Sequence, residues 1–220
     1  MNGTRRSLLA GVAGSTAAAL AGCFGVGDDD ESSFDSHPST DGIEAQPTLG
    51  TLDAPGVVVA FEDPSCRSCR RFETETFPQM KSELVDPGDA AFVYRTLDIT
   101  FPWAEPASQV MASTFDAAAD AFWSLKAHYY EEQSDFDAGN VFERSRAFLE
   151  EGTSVDAEAV VTAARNAEHD DLVRSNREAA EAVGVDSTPQ FYLFRDGEFR
   201  TEVAGPQDYD VFASALGFQS

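Results

Sequence analysis

The stretch 62-EDPSCRSCRRFETETF-77 holds Cys66 and Cys69, two of the three cysteines of the chain. It follows 57-VVVAF-61, a continuous apolar and largely β-branched run of the kind that fills a buried central strand. Phe72, Phe77, Met80 and Leu84 then recur at helical spacing up to about Val85, with Pro78 expected to kink that helix. The cysteine pair therefore sits where a buried strand hands over to a helix. Its spacing alone admits a redox couple, half of a zinc site or a small structural disulfide.

Zinc needs four ligands, and no second cysteine pair exists. The histidines His37, His128 and His169 are not spaced as a ligand pair. Covalent haem needs a histidine directly after the second cysteine, where Arg70 stands. No metal and no cofactor is expected. A disulfide closing so small a loop restrains the unfolded chain little.

The redox reading has a mechanism. The thiolate is the attacking species, and a helix N-terminus lowers its pKa. Cys66 at that terminus becomes the exposed nucleophile and Cys69, on the same helical face, the more buried resolving thiol. Residues three apart on a helix lie about 5–6 Å apart, within disulfide reach. Arg67 and Ser68 stand between the two and are the candidate tuning residues; Arg67 favours the thiolate, while Glu62 and Asp63 oppose it. In molar salt the screening length is only about 3 Å, so the helix end and direct hydrogen bonds should outweigh Arg67.

Further along, 86-DPGD-89 is a turn and 90-AAFVYRTLDI-99 reads as a second strand. From about residue 104 to 182 strand signals vanish. The segments 107–133, 140–152 and 156–184 are Ala-rich and periodic at three to four residues, hence helical, with Gly184 closing the last. Phe115, Phe122, Trp123, Tyr129 and Phe148 are expected as core of this block. The segment 188-TPQFYLFRDGEFRTEVAG-205 alternates and turns at Asp196-Gly197, a hairpin, and 208-DYDVFASALG-217 is a final helix. The order β-α-β, helical block, β-β-α predicts an α/β layer architecture with an inserted helical subdomain over about 104–182.

The N-terminus, 1-MNGTRRSLLAGVAGSTAAALAGC-23, carries the arginine pair Arg5-Arg6 and an apolar run from Leu8 to Leu20. That run is too short to span a bilayer core, which needs roughly 20 residues, and reads as a processing segment, residues 1–22. Residues 20-LAGC-23 resemble a lipobox, which makes Cys23 the candidate lipidated residue. A twin-arginine signal places the protein on the extracytoplasmic face of the membrane, where disulfides persist. Residues 23–47 are acidic, lack Lys and Arg and have few apolar groups. They are expected to be a disordered tether reaching roughly 27 Å, ahead of a folded domain over 48–220.

The full chain has 15 basic and 39 acidic residues, a net charge of −24; loss of Arg5 and Arg6 leaves −26. Lysine occurs only at 81 and 126. This acidic excess argues against nucleic acid and anionic lipid surfaces as partners and resembles proteins of salt-loving organisms.

Taken together, 57-VVVAFEDPSCRSCRRF-72, 92-FVYRTLDI-99, the helical insertion and 184-GVDSTPQFYLF-194 resemble the DsbA-like class of thioredoxin-fold proteins, extracytoplasmic thiol–disulfide oxidoreductases. The resemblance implies a thioredoxin fold over roughly 48–217, with Cys66 as nucleophile and Cys69 as resolving thiol. Pro189 matches a cis-proline facing them, and Thr188 the residue whose backbone pairs with an extended substrate. It implies exported protein thiols or disulfides as substrates, a membrane partner that resets the pair, and a monomer. Two positions depart from the family: Arg67-Ser68 replaces the Pro-His of the best-known oxidants, leaving the direction of catalysis open. Ala60 stands where some members hold a buried acid, with Glu62 read either as its substitute or as solvated surface. The other readings of the chain are a metallochaperone or cytochrome-maturation accessory on the same fold, and a non-catalytic surface lipoprotein.

Overall fold

A computed structural model describes residues 33–218. Its centre is a five-stranded sheet of order β1-β3-β2-β4-β5, formed by β1 (Thr48–Leu49), β2 (Gly56–Glu62), β3 (Ala90–Thr96), β4 (Gln190–Arg195) and β5 (Glu198–Ala204). β2 and β3 run parallel, Val58 beside Phe92 and Ala60 beside Tyr94; the other pairings are antiparallel. Alternate strand residues serve opposite faces, as the pleat requires. Val58, Ala60, Phe92, Tyr94, Phe191 and Leu193 join one core, and Val57, Val59, Phe61, Val93, Tyr192 and Phe194 the other. β2 is buried along its whole length because both faces are covered.

The parallel β2–β3 pair requires a crossover, and residues 67–85 supply it. α1 (Arg67–Arg71) and α2 (Phe77–Met80) are joined by a wide π-turn over Phe72–Thr76, and a second follows at Lys81–Val85. Pro78 lies in the first turn of α2, where its missing N–H costs little. Phe72 drives this run onto the sheet, its ring 4.5 Å from Phe191 and 5.5 Å from Phe212 of α8 (Tyr209–Ala215). Burying such a ring contributes about 2–3 kcal/mol.

Five helices stand between β3 and β4: α3 (Ala104–Ala117), α4 (Ala119–Glu131), α5 (Val141–Gly152), α6 (Ala157–Arg165) and α7 (Asp170–Ala182). Two of the expected helical segments are broken. Ala118 is extended and separates α3 from α4, and Ala167, at φ 51°, separates α6 from α7. Gly184, at φ 71°, follows α7, and Val185 N–H donates to Ala180 O at 2.8 Å to seal its end. Asp196 and Gly197 both take positive φ in the β4–β5 hairpin.

The expected tether needs correction over residues 33–47. Ser33 bridges to Glu198, Phe34 N–H donates to Gly197 O at 2.8 Å, and short 3₁₀ turns follow at Pro38–Thr40 and Ile43–Ala45. His37 stacks on Phe199 at 4.7 Å, Ile43 enters the second core, and buried Arg95 donates to Asp41 O and to Asn176 Oδ1. Composition misjudged this segment because its order comes from a few side chains, Phe34, His37 and Ile43, that cover a sheet face already formed. β1, pairing with β3 through Thr48 and Leu49, was likewise not anticipated. The processing segment and Cys23 lie outside the described residues. Among those described, no helix is long and apolar enough to cross a membrane.

Candidate active site

β2 ends at Glu62, and the chain then turns through Asp63-Pro64-Ser65 into α1. Asp63, fully buried, organises this turn. Its Oδ1 accepts from Ser65 N–H at 2.7 Å and from Ser65 Oγ at 2.6 Å; its Oδ2 accepts from the N–H groups of Ile99 and Thr100 at 2.8 and 2.7 Å. Ser65 Oγ in turn accepts from Phe101 N–H at 3.1 Å. Gln133, from the helical insertion, donates to Pro64 O and Cys66 O at 2.8 and 3.0 Å. Cys66 thereby becomes the N-cap residue of α1 with no side-chain cap, so its thiol occupies the place of a capping group.

The Thr188–Pro189 peptide bond is cis, and Thr188 O lies 3.3 Å from Cys66 Sγ, where it accepts from the thiol. Cys69 is fully buried beneath, and Asp63 N–H donates to its sulfur at 3.5 Å. Both cysteines are free thiols. The family model described as "Thioredoxin" matches residues 43–216. The chain belongs to the thioredoxin family.

Within the thioredoxin family its named relatives are disulfide bond formation proteins. It is 31% identical over 93 residues to "Disulfide bond formation protein D" of Bacillus subtilis, a match covering 42% of each chain. It is 26% identical over 177 residues to "Probable disulfide bond formation protein D" of Bacillus anthracis, covering 78% of this chain and 76% of that one. The crystal structure of oxidised BdbD from Bacillus subtilis shares the fold at a TM-score of 0.69 and 22% identity, covering 80% of this chain and 95% of that one. The fold is that of DsbA-like thioredoxin-family members, a mixed sheet with several helices.

The electrostatics of this thioredoxin-family site separate its two thiols. Cys66 is brought down from the ordinary value near 9 to about 5. The neighbouring Cys69 thiol is the first cause, and the backbone N–H groups of Cys69 and Ser68 add to it against the cost of burial. Burial pushes Cys69 well above the usual thiol range. Hydrogen bonds outweigh Arg67, as expected; its guanidinium is not among the main causes. Ser68 acts through its backbone. Cys66 is also less open than expected, at 8% exposed.

Glu62 is fully buried, which removes the solvated-surface reading. Burial, and then the charge of Glu73, holds its carboxyl well above the usual carboxylate range. Glu73 pairs with Lys126 at 2.6 Å, both side chains nearly inaccessible, and the Lys126 ammonium lies 4.0 Å from the Phe77 ring centroid. Tyr94 and Tyr130 share a 2.7 Å hydrogen bond beside this cluster. A buried carboxyl whose neutral form is favoured, next to a thiol reluctant to ionise, can hold a proton close to Cys69.

Two members of the site were missed in the sequence. Asp63 was read only as a charge opposing the thiolate, although Asp-Pro-Ser is a recognisable side-chain turn. Gln133 carried no signal, because its partner Cys66 lies 67 residues away.

Proposed function

We propose that the protein is a thiol–disulfide oxidoreductase that exchanges disulfides with exported proteins through Cys66 and Cys69. The observation that carries this reading is Cys66, the more readily ionised thiol, lying beside the cis Thr188–Pro189 bond with Cys69 buried behind it. In the oxidising direction a substrate thiolate attacks Cys66 Sγ of the Cys66–Cys69 disulfide. The S–S bond breaks, and its electron pair leaves on Cys69, which takes up a proton. A second substrate thiolate then attacks the substrate sulfur of the mixed disulfide and expels Cys66 as thiolate. The substrate has lost two electrons and the protein has gained them. A thiolate this stable favours the reduced protein, which makes the disulfide the stronger oxidant and supports that direction.

Thr188 and Pro189 form the edge beside which an extended substrate chain pairs. Arg67 and Ser68 border the attacked sulfur. A membrane partner must withdraw the two electrons to reset the pair. The same reading has the monomeric protein exported by its twin-arginine segment and anchored by lipid on Cys23 outside the cytoplasm, in a salt-loving cell.

The test is Cys69→Ser expressed in the native cell. Without its resolving thiol, Cys66 should accumulate as mixed disulfides with exported proteins, visible as reducible bands in the membrane fraction. Adding Cys23→Ser should move those bands to the soluble fraction. A folded Cys69→Ser protein with no adduct would remove the catalytic reading, and adducts that ignore Cys23→Ser would remove the anchor.

A further inference from the structure

Beside Cys66 opens a cavity of about 660 Å³, within the range of roughly 300–1,000 Å³ typical of ligand sites. Ser65 and Arg67, the chain neighbours of Cys66, both line it, so a segment bonded to Cys66 has the cavity within reach. Its walls combine two kinds of chemistry. Phe101, Trp103 and Phe136 supply the apolar part, Trp103 and Phe136 stacked at 5.4 Å and buried, Phe101 45% exposed. Arg67 and Arg70 supply the charge.

Neither of these two arginines meets a carboxylate in a chain with 39 acidic residues against 15 basic, a state they share with Arg95, Arg165 and Arg200 among the described residues. Arg71, Arg144, Arg146, Arg174, Arg177 and Arg195 each meet a carboxylate. Among the described residues Arg67 has no side-chain partner, and Arg70 spends only its Nε, donating to Tyr130 O at 2.8 Å. That bond fixes the Arg70 guanidinium and leaves its terminal nitrogens to a ligand. The one carboxylate of the lining, Asp137, already accepts through Oδ1 from Gly139 and Asn140 N–H at 2.8 and 3.0 Å.

The apolar side is held open rather than left over. Ile99 and Phe101, two of the three large apolar residues exposed among those described, sit on the loop whose backbone is bonded to Asp63 and Ser65. The active-site turn therefore presents these side chains to solvent at a defined place.

We propose that this cavity is a docking pocket for the substrate segment flanking the reacting cysteine, and that it selects segments in which an acidic side chain neighbours an aromatic or aliphatic one. The carboxylate would meet Arg67 and Arg70, and the apolar group would pack on Phe101. The proposal rests on the oxidoreductase reading above and specifies its substrate class.

The test uses the oxidised full chain and two dithiol peptides that differ only beside one cysteine, Glu-Phe in one and Lys-Ser in the other, with dithiothreitol as a small dithiol. The wild type should oxidise the Glu-Phe peptide roughly tenfold faster, as two solvent-facing ion pairs and one ring contact allow. Raising salt from about 0.1 to 1 M should shrink that ratio, and the double substitution Arg67→Gln, Arg70→Gln should bring it close to one. A ratio near one in the wild type, with dithiothreitol oxidised normally, overturns the pocket and leaves the oxidoreductase standing. Failure to oxidise any of the three dithiols overturns both.

Discussion

Cys66 is favoured as an anion chiefly by the neighbouring Cys69 thiol, with the backbone N–H groups of Ser68 and Cys69 at the start of α1 adding to it. Its folded-state value is depressed from near 9 to about 5, so the extra stability of the reduced form is complete only above about 9. It fades as the pH falls through that window and is gone below about 5. The disulfide form carries no ionisable thiol and has no such dependence. The rate of Cys66 alkylation by iodoacetamide should therefore hold its maximum well above pH 5, pass through half-maximum near about pH 5 and vanish below it. A free-peptide cysteine turns near about 8.5. A midpoint for Cys66 in that peptide range would show that the donors do not act on it. Burial pushes Cys69 the other way, so it should react far more slowly at every pH in the window.

At the scale of elements, the site depends on how β2 is joined to α1 and to the loop after β3. Asp63 makes that joint with four accepted hydrogen bonds, two from Ser65 and two from Ile99 and Thr100. Asp63→Ala would leave these donors unmatched in a largely buried place, at a cost of about 2–4 kcal/mol. Urea unfolding of the reduced protein measures it, and Asp63→Asn, which keeps one acceptor oxygen, should recover part of the loss. A change below about 0.5 kcal/mol would place the joint elsewhere. The helix that follows shows why local rules need their surroundings. Pro78 was expected to kink it, yet the π-turn over Phe72–Thr76 resets the register so that the proline falls in a new first turn.

The whole molecule carries a net charge of −24, and its ion pairs are mostly exposed, such as Arg146–Glu150 and Lys81–Asp86. Exposed pairs contribute little each, so the excess carboxylates repel one another across the surface. The thermal midpoint should rise between about 0.1 and 1 M sodium chloride, as the screening length falls from about 10 to 3 Å. Calorimetry across that range checks it, and a flat or falling midpoint would mean that surface repulsion is not what limits stability.

Local chemistry was legible without coordinates. The β-branched run 57–61, the cysteines at the head of a helix, the Asp196-Gly197 turn and the Gly184 helix stop each depend on preferences acting within about four residues. What only the tertiary structure decided joins residues far apart in the chain. Gln133 reaches Cys66 across 67 positions, and Arg95 holds Asp41 across 54. Glu62 is buried because the helical insertion closes over one face of the sheet, and residues 33–47 are ordered because the other face offered them aromatic rings. No residue pattern encodes such meetings locally; they arise when separately formed surfaces are packed together, and the energy that holds them belongs to the contact rather than to either segment.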